Sequence, residues 1–131
     1  MLIADLGTIL SITKLNSNGS ILGGQLIPGF LTQLKSMEQN TKNLIVPKKY
    51  EIPTKDFLIN TEEAILKGVI NSLTGVIKNS FNPQNDILIT CGGDSQFLTK
   101  HLKTNKNNVI NAPNLVMEGM IIHYLSIKKL A

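Results

Sequence analysis

Three short runs gather residue types that handle phosphate and cations. Asp5-Leu6-Gly7-Thr8 sets a carboxylate and a hydroxyl on either side of a glycine. Glycine lets the backbone approach an anion, its neighbouring amides can donate to that anion, and a carboxylate at a strand end can hold a metal. Alone, the tetrapeptide reads better as a strand that ends in an Asp-containing turn. Gly23-Gly24-Gln25-Leu26-Ile27-Pro28-Gly29 places two glycines inside an apolar strand. Glycine there costs stability, so the pair signals a bulge or a close backbone approach. Pro28 suits the first turn of a helix, and a strand-to-helix corner explains most of this run. In Ile89-Thr90-Cys91-Gly92-Gly93-Asp94 a strand enters Gly-Gly and then a helix, which leaves room for a flat ligand such as a purine against the backbone. Taken singly, it is a tight strand–helix turn.

Other chemistries find little support. The chain has no GxxxxGK[ST] loop, no GxGxxG and no Ser/His/Asp arrangement in a recognisable context. His101 and His123 fall on separate predicted helices without a cysteine or histidine at metal-ligand spacing, which argues against zinc. Cys91 ends an apolar strand and is expected in the core. It is the single cysteine of the chain, which fits a reducing cytosol. The net charge is +4, and all 13 basic residues are lysine. Arginine supplies most bidentate phosphate and guanine contacts, so a nucleic-acid reader is not expected. Tryptophan is absent and aromatics are 5%, so no stacking platform is visible either. No apolar run is long enough to span a bilayer. The N-terminal MLIADLGTIL carries Asp5 and no positive leader, and reads as a strand rather than a signal peptide. The expected location is the cytoplasm.

The elements that must position these runs follow from periodicity and turn chemistry. At 131 residues and 42% hydrophobic, the chain is expected to form a single domain with its own core. Leu2–Leu6, Ile9–Leu15 and Ser20–Ile27 read as a β-meander, with Asn16-Ser17-Asn18-Gly19 as a hairpin turn in which Asn18 and Gly19 tolerate positive φ. A helix follows Pro28-Gly29, with Phe30, Leu31, Leu34 and Met37 at helical spacing. Residues 40–60 hold two prolines and no periodicity, and read as a long loop. Asn60 or Thr61 can cap the next helix, and Glu62 and Glu63 favour its positive end. Its apolar face is Ala64, Ile65, Gly68, Val69, Leu73, Val76 and Ile77. Asp86–Thr90 is a buried strand, Asp94 opens a helix carrying Phe97, Leu98 and Leu102, and Val109-Ile110 is a short strand. Pro113–Leu125 is a last helix, with Leu115, Val116, Met120, Ile121 and Tyr124 apolar. The order is β-β-β-α-α-β-α-β-α.

Order and spacing make the runs informative together. The DxGT meander, the Gly23–Gly29 corner, Asn60-Thr61-x-x-Ala64-Ile65-x-x-Gly68, Thr90-x-Gly92-Gly93-Asp94 and Pro113-x-Leu115-x-x-x-Gly119-Met120 resemble type III pantothenate kinase, from Ile3 to about Ile122. The resemblance implies an α/β fold: a ribonuclease-H-like mixed sheet with flanking helices, one lobe of an actin-like ATPase. It implies that Asp5 binds a monovalent cation, potassium or ammonium. It also implies that Gly7 and Thr8 meet ATP phosphate, that Gly92 and Gly93 lie near the adenosine, and that Thr61 contacts pantothenate. ATP would act with magnesium. Two family segments have no match here: a DxGNT phosphate loop, and a GxDR segment whose aspartate is the general base. The expectation is therefore the C-terminal half of an ATP:pantothenate phosphotransferase, inactive alone and lacking a catalytic residue of its own. It would either form a homo-oligomer or pair with a separately encoded N-terminal half. The alternative is a truncated, non-catalytic relative acting as a nucleotide-binding or regulatory accessory protein. Ile9-Leu10-Ser11 and Thr13 depart from the family's preference for small residues, threonine and aspartate there.

Overall fold

The computed structural model describes residues 1–102 and 106–130. Strands β1 (Leu2–Leu6), β2 (Ile9–Leu15) and β3 (Ile21–Pro28) come first, followed by helices α1 (Phe30–Asn40) and α2 (Thr61–Ser80). Then come β4 (Leu88–Cys91), α3 (Ser95–Thr99), β5 (Val109–Asn111) and α4 (Leu115–Leu130). This is the order expected from the sequence, and residues 41–60 carry no helix or strand. The five strands form one sheet in the order β3-β2-β1-β4-β5. The meander pairs antiparallel, whereas β1–β4 and β4–β5 are parallel. A 3-2-1-4-5 mixed sheet of this kind is the ribonuclease-H-like arrangement.

Turn chemistry sets the meander. Asn16 Oδ1 accepts from the backbone N–H of Asn18 and Ser20, at 3.0 and 2.9 Å. Gly19 takes the positive φ of 81°, and Asn18 stays out of that region. The two glycines of β3 do what their pairing implied. The register slips between Lys14↔Gly23 and Leu15↔Ile21, so Leu22 is the extra residue of a bulge. Next to it, a Cβ on Gly24 would meet the Ile12 carbonyl oxygen at 2.6 Å.

The core lies between the sheet and helices α1 and α2. Leu2, Ala4 and Leu6 of β1 alternate inward, as a half-buried strand requires. Against them pack Leu10 and Ile12, Phe30 and Leu34 of α1, and Val69, Leu73 and Ile77 of α2. Cys91 is fully buried, as expected. The buried stripe of α2 is Ile65, Leu66, Lys67, Val69, Ile70, Leu73, Thr74 and Ile77. It is rotated from the expected face: Ala64 and Gly68 are exposed, and a lysine and a threonine lie inside. The last helix departs further. It runs to Leu130, yet Val116, Met120, Ile121 and Tyr124 are all exposed.

Candidate functional site

β1 and β4 lie side by side and parallel, so the loops after both emerge at one edge of the sheet. Ligands in open α/β sheets bind beyond the carboxyl ends of such strands. Here the first loop is Gly7-Thr8 and the second is Gly92-Gly93-Asp94. Asp5 stands opposite Cys91 in the register, one residue before Gly92.

Close backbone packing holds the two loops. Gly92 has φ 88°, and a Cβ on it would run into the Asp5 carboxylate and come within 2.6 Å of the Leu6 carbonyl oxygen. The Asp94 N–H donates to that same carbonyl at 2.9 Å, which fixes the second loop on the first. On the other side, Gly29 packs so closely on the hairpin that a Cβ there would collide with the Gly7 carbonyl oxygen. The Gly29 N–H and the Thr32 hydroxyl both donate to the Thr8 carbonyl, at 2.9 and 2.7 Å. The start of α1 is thereby tied to the Gly7-Thr8 turn.

What this packing creates is a cavity of about 240 Å³ lined by Gly7, Thr8, Leu31, Thr32, Lys35 and Asp94. The Thr8 side chain is exposed at its mouth. Lys35 brings a cation from one turn beyond Thr32. Burial pushes the Asp94 carboxyl above its ordinary pKa. Asp94 precedes α3 without capping it through its side chain. Directly after it, Ser95 is buried and its hydroxyl has no hydrogen-bond partner among the described residues. The Cys91 thiol is pushed up, first by burial and then by the negative charge of Asp5.

The expected site residues are thus partly assembled. Gly7 and Thr8 line the cavity, while Asp5 and Gly92 pack against each other and are not part of its lining. Gly93 is exposed, with open space where a Cβ would be. Thr61 is the first residue of α2 and exposed, and it is not part of this lining. Nor does Thr61 cap its helix: Asn60 does, its Oδ1 accepting from the Glu63 N–H at 3.0 Å. Thr32, Lys35 and Asp94 were not anticipated as site residues. Two of them carried a signal, since Thr32 and Lys35 follow Gly29 at helical spacing and so share a face beside the glycine turn.

The Asp5 carboxylate makes no hydrogen bond or ion pair with another described residue. Among the described residues, no group of three or more His, Cys, Asp or Glu side chains could hold a metal ion. The donor set on offer is one half-buried carboxylate with backbone carbonyls close by. A caged divalent cation takes about six oxygen ligands or more, so this set by itself is not a divalent cage.

The sequence pattern of the type III pantothenate kinase family matches residues 1–82. The chain belongs to the type III pantothenate kinase family. The type III pantothenate kinase of Synechococcus elongatus is 31% identical over 128 residues, which cover 92% of this chain and 50% of that protein. The Herminiimonas arsenicoxydans enzyme is 26% identical over 132 residues, covering 95% of this chain and 51% of its own length. The chain therefore spans about half the length of the curated relatives it matches. Among solved structures, a Campylobacter jejuni protein described as a Baf family transcriptional activator superposes with a TM-score of 0.76 at 23% identity. That match covers 98% of this chain and 58% of the other, and establishes a shared fold.

Proposed function

We propose that this chain supplies one face of an ATP:pantothenate phosphotransferase cleft, the half that holds the nucleotide. The observation that carries this reading is the cavity joining Gly7, Thr8, Lys35 and Asp94, formed where β1 and β4 end, in a member of a kinase family. Gly7 allows close approach of a phosphate chain, and the Thr8 hydroxyl and Lys35 ammonium are donors for it. Gly92 and Gly93 lie beside the adenosine, with open space where a Cβ on Gly93 would be. Asp5 holds a monovalent cation, potassium or ammonium, which neutralises phosphate charge. Magnesium accompanies ATP, and Thr61 contacts pantothenate from the start of α2. Phosphoryl transfer also needs a group to take the hydroxyl proton and donors on the far side of the phosphate. In this reading both come from an N-terminal half, in the same assembly or on a separate chain, and the working site is cytoplasmic.

Calorimetric titration with ATP in potassium buffer tests this. Lys35→Gln is expected to weaken ATP binding on the order of tenfold, the loss of one charge-assisted contact, and Thr8→Val to weaken it less. Turnover of pantothenate is expected only once the N-terminal half of a relative is added. ATP affinity indifferent to both substitutions would remove the Gly7–Thr8 cavity from the mechanism. Turnover by the chain alone would remove the division of labour.

A further inference from the structure

A second cavity, of about 500 Å³, lies between the 52–56 loop, the middle of α2 and the end of α3. It shares no lining residue with the Gly7–Thr8 cavity. Four of its residues, Lys67, Asn71, Thr74 and Lys78, are spaced 4, 3 and 4 apart, which puts them on one stripe of α2. Lys100 and His101, just beyond the end of α3, complete the lining, and Ile52, Pro53 and Ile70 supply apolar wall.

Its charge balance is unusual. Lys67 is 8% exposed, on the helix face that otherwise packs the core. Its ammonium meets Asp56 Oδ1 at 3.2 Å and the Pro53 carbonyl at 3.3 Å. Lys78 and Lys100 have no ion-pair partner among the described residues. Three lysines therefore face one carboxylate, an excess of two positive charges in the lining. The field is felt at His101, whose pKa is pushed down by burial and then by Lys67 and Lys100. Of the three lysines only Lys67 is buried, and Lys78 and Lys100 are exposed. An anion among them would offset the two unmatched charges.

We propose that this cavity binds a phosphoryl anion, held by Lys67, Lys78 and Lys100 with Asn71 as a neutral donor. The inference does not depend on the nucleotide reading of the first cavity. The volume exceeds that of one phosphate, so the apolar wall formed by Ile52, Pro53 and Ile70 leaves room for a small organic group behind the phosphoryl oxygens. The ligand is either free phosphate or a phosphomonoester.

Amide NMR titration of the full chain with inorganic phosphate, glycerol 3-phosphate and glycerol tests the proposal. Saturable shifts at Asn71, Thr74 and His101 are expected with the two phosphates and not with glycerol. The Lys78→Gln, Lys100→Gln double variant changes two exposed side chains and is expected to keep the native spectrum. Its phosphate affinity should fall on the order of tenfold, as for two partly exposed cation–anion pairs. Tighter binding of glycerol 3-phosphate than of phosphate would identify an organic phosphate as the ligand, and equal binding would identify the free ion. Shifts confined to Gly7 and Thr8, or an affinity unchanged in the double variant, would overturn the proposal.

Discussion

Helices α2 and α4 are the two longest in the chain and meet opposite fates. α2 buries eight side chains, including Leu73 and Val69 at 0% exposure. α4 is the more apolar in sequence, yet Met117, Met120, Ile121, Ile122, Tyr124, Leu125 and Ile127 are each more than half exposed. Hydrophobic periodicity announces that a helix needs a partner; it does not say that the chain contains one. α2 has the sheet and α1 beside it. α4 follows β5 at the margin of the sheet, where no further layer is present among the described residues. An exposed apolar face of this size is far larger than the scattered apolar residues of an ordinary surface.

The sharpest way to break this comparison is to truncate one side chain on each helix. Leu73→Ala removes a fully buried side chain and is expected to destabilise by roughly 2–5 kcal/mol. Ile121→Ala, at 56% exposure, is expected to stay within about 0.5 kcal/mol. Urea unfolding at several protein concentrations reads both. A large, concentration-independent loss in Ile121→Ala would mean that α4 packs within the chain after all. A loss that grows at high concentration would place its partner on another copy.

A smaller effect concerns what anchors the sheet side of α2's core. Asp86 follows α2 and leads into β4, and its carboxylate receives the Lys14 ammonium at 2.5 Å and the Asn82 N–H at 3.2 Å. The N-terminal amine lies 3.6 Å away. The Lys14 hydrogen bond is the main reason its pKa lies below the ordinary value, against the opposing effect of burial. A depressed folded pKa gives stability that is fully present above the unfolded value and is lost as pH falls through the folded one. Stability should therefore hold above about pH 5 and decline below about pH 4, and Asp86→Asn should flatten that acid limb. An unchanged limb would show that other carboxylates carry it. Among the described residues no ion pair ties down α4, whose last turn carries Lys128 and Lys129 in solvent.

Much of the fold was legible because its signals are local. The Asn16 turn, the Gly-Gly bulge, the proline-led corner and the Asn60 cap each depend on a few adjacent residues, and the element order followed from them. The lining of the candidate cavity was legible in part for the same reason: Gly7 and Thr8 belong to a turn. Thr32, Lys35 and Asp94 were missed because what brings them together is packing between distant segments, Gly29 on Gly7 and Gly92 on Leu6. The burial of Lys67 was invisible for the opposite reason. Its neighbours Leu66 and Ile65 announce a buried stripe, but whether a lysine at its margin is covered depends on the 52–56 loop, which carries no periodicity. The exposure of α4 could not be read from α4 at all.

The finest distinction lies within two adjacent residues at the start of α2. Asn60 and Thr61 are both good capping types, and the sequence left the choice open. Asn60 has the extended backbone of a cap, φ −72° and ψ 127°, and its side chain satisfies the Glu63 N–H. Asn60→Ala leaves that amide without its partner and is expected to cost about 1 kcal/mol. Thr61 is already helical, and its exposed β-branched side chain is a poorer helix former than alanine. Thr61→Ala is therefore expected to be neutral or stabilising by a few tenths of a kcal/mol. Thermal unfolding of the two variants side by side gives the comparison, and a loss in Thr61→Ala as large as in Asn60→Ala would return the cap to Thr61. With stability unchanged, Thr61→Ala becomes a clean probe. A fall in pantothenate binding by the reconstituted enzyme would then report a contact made by the Thr61 hydroxyl and owe nothing to the folding of α2.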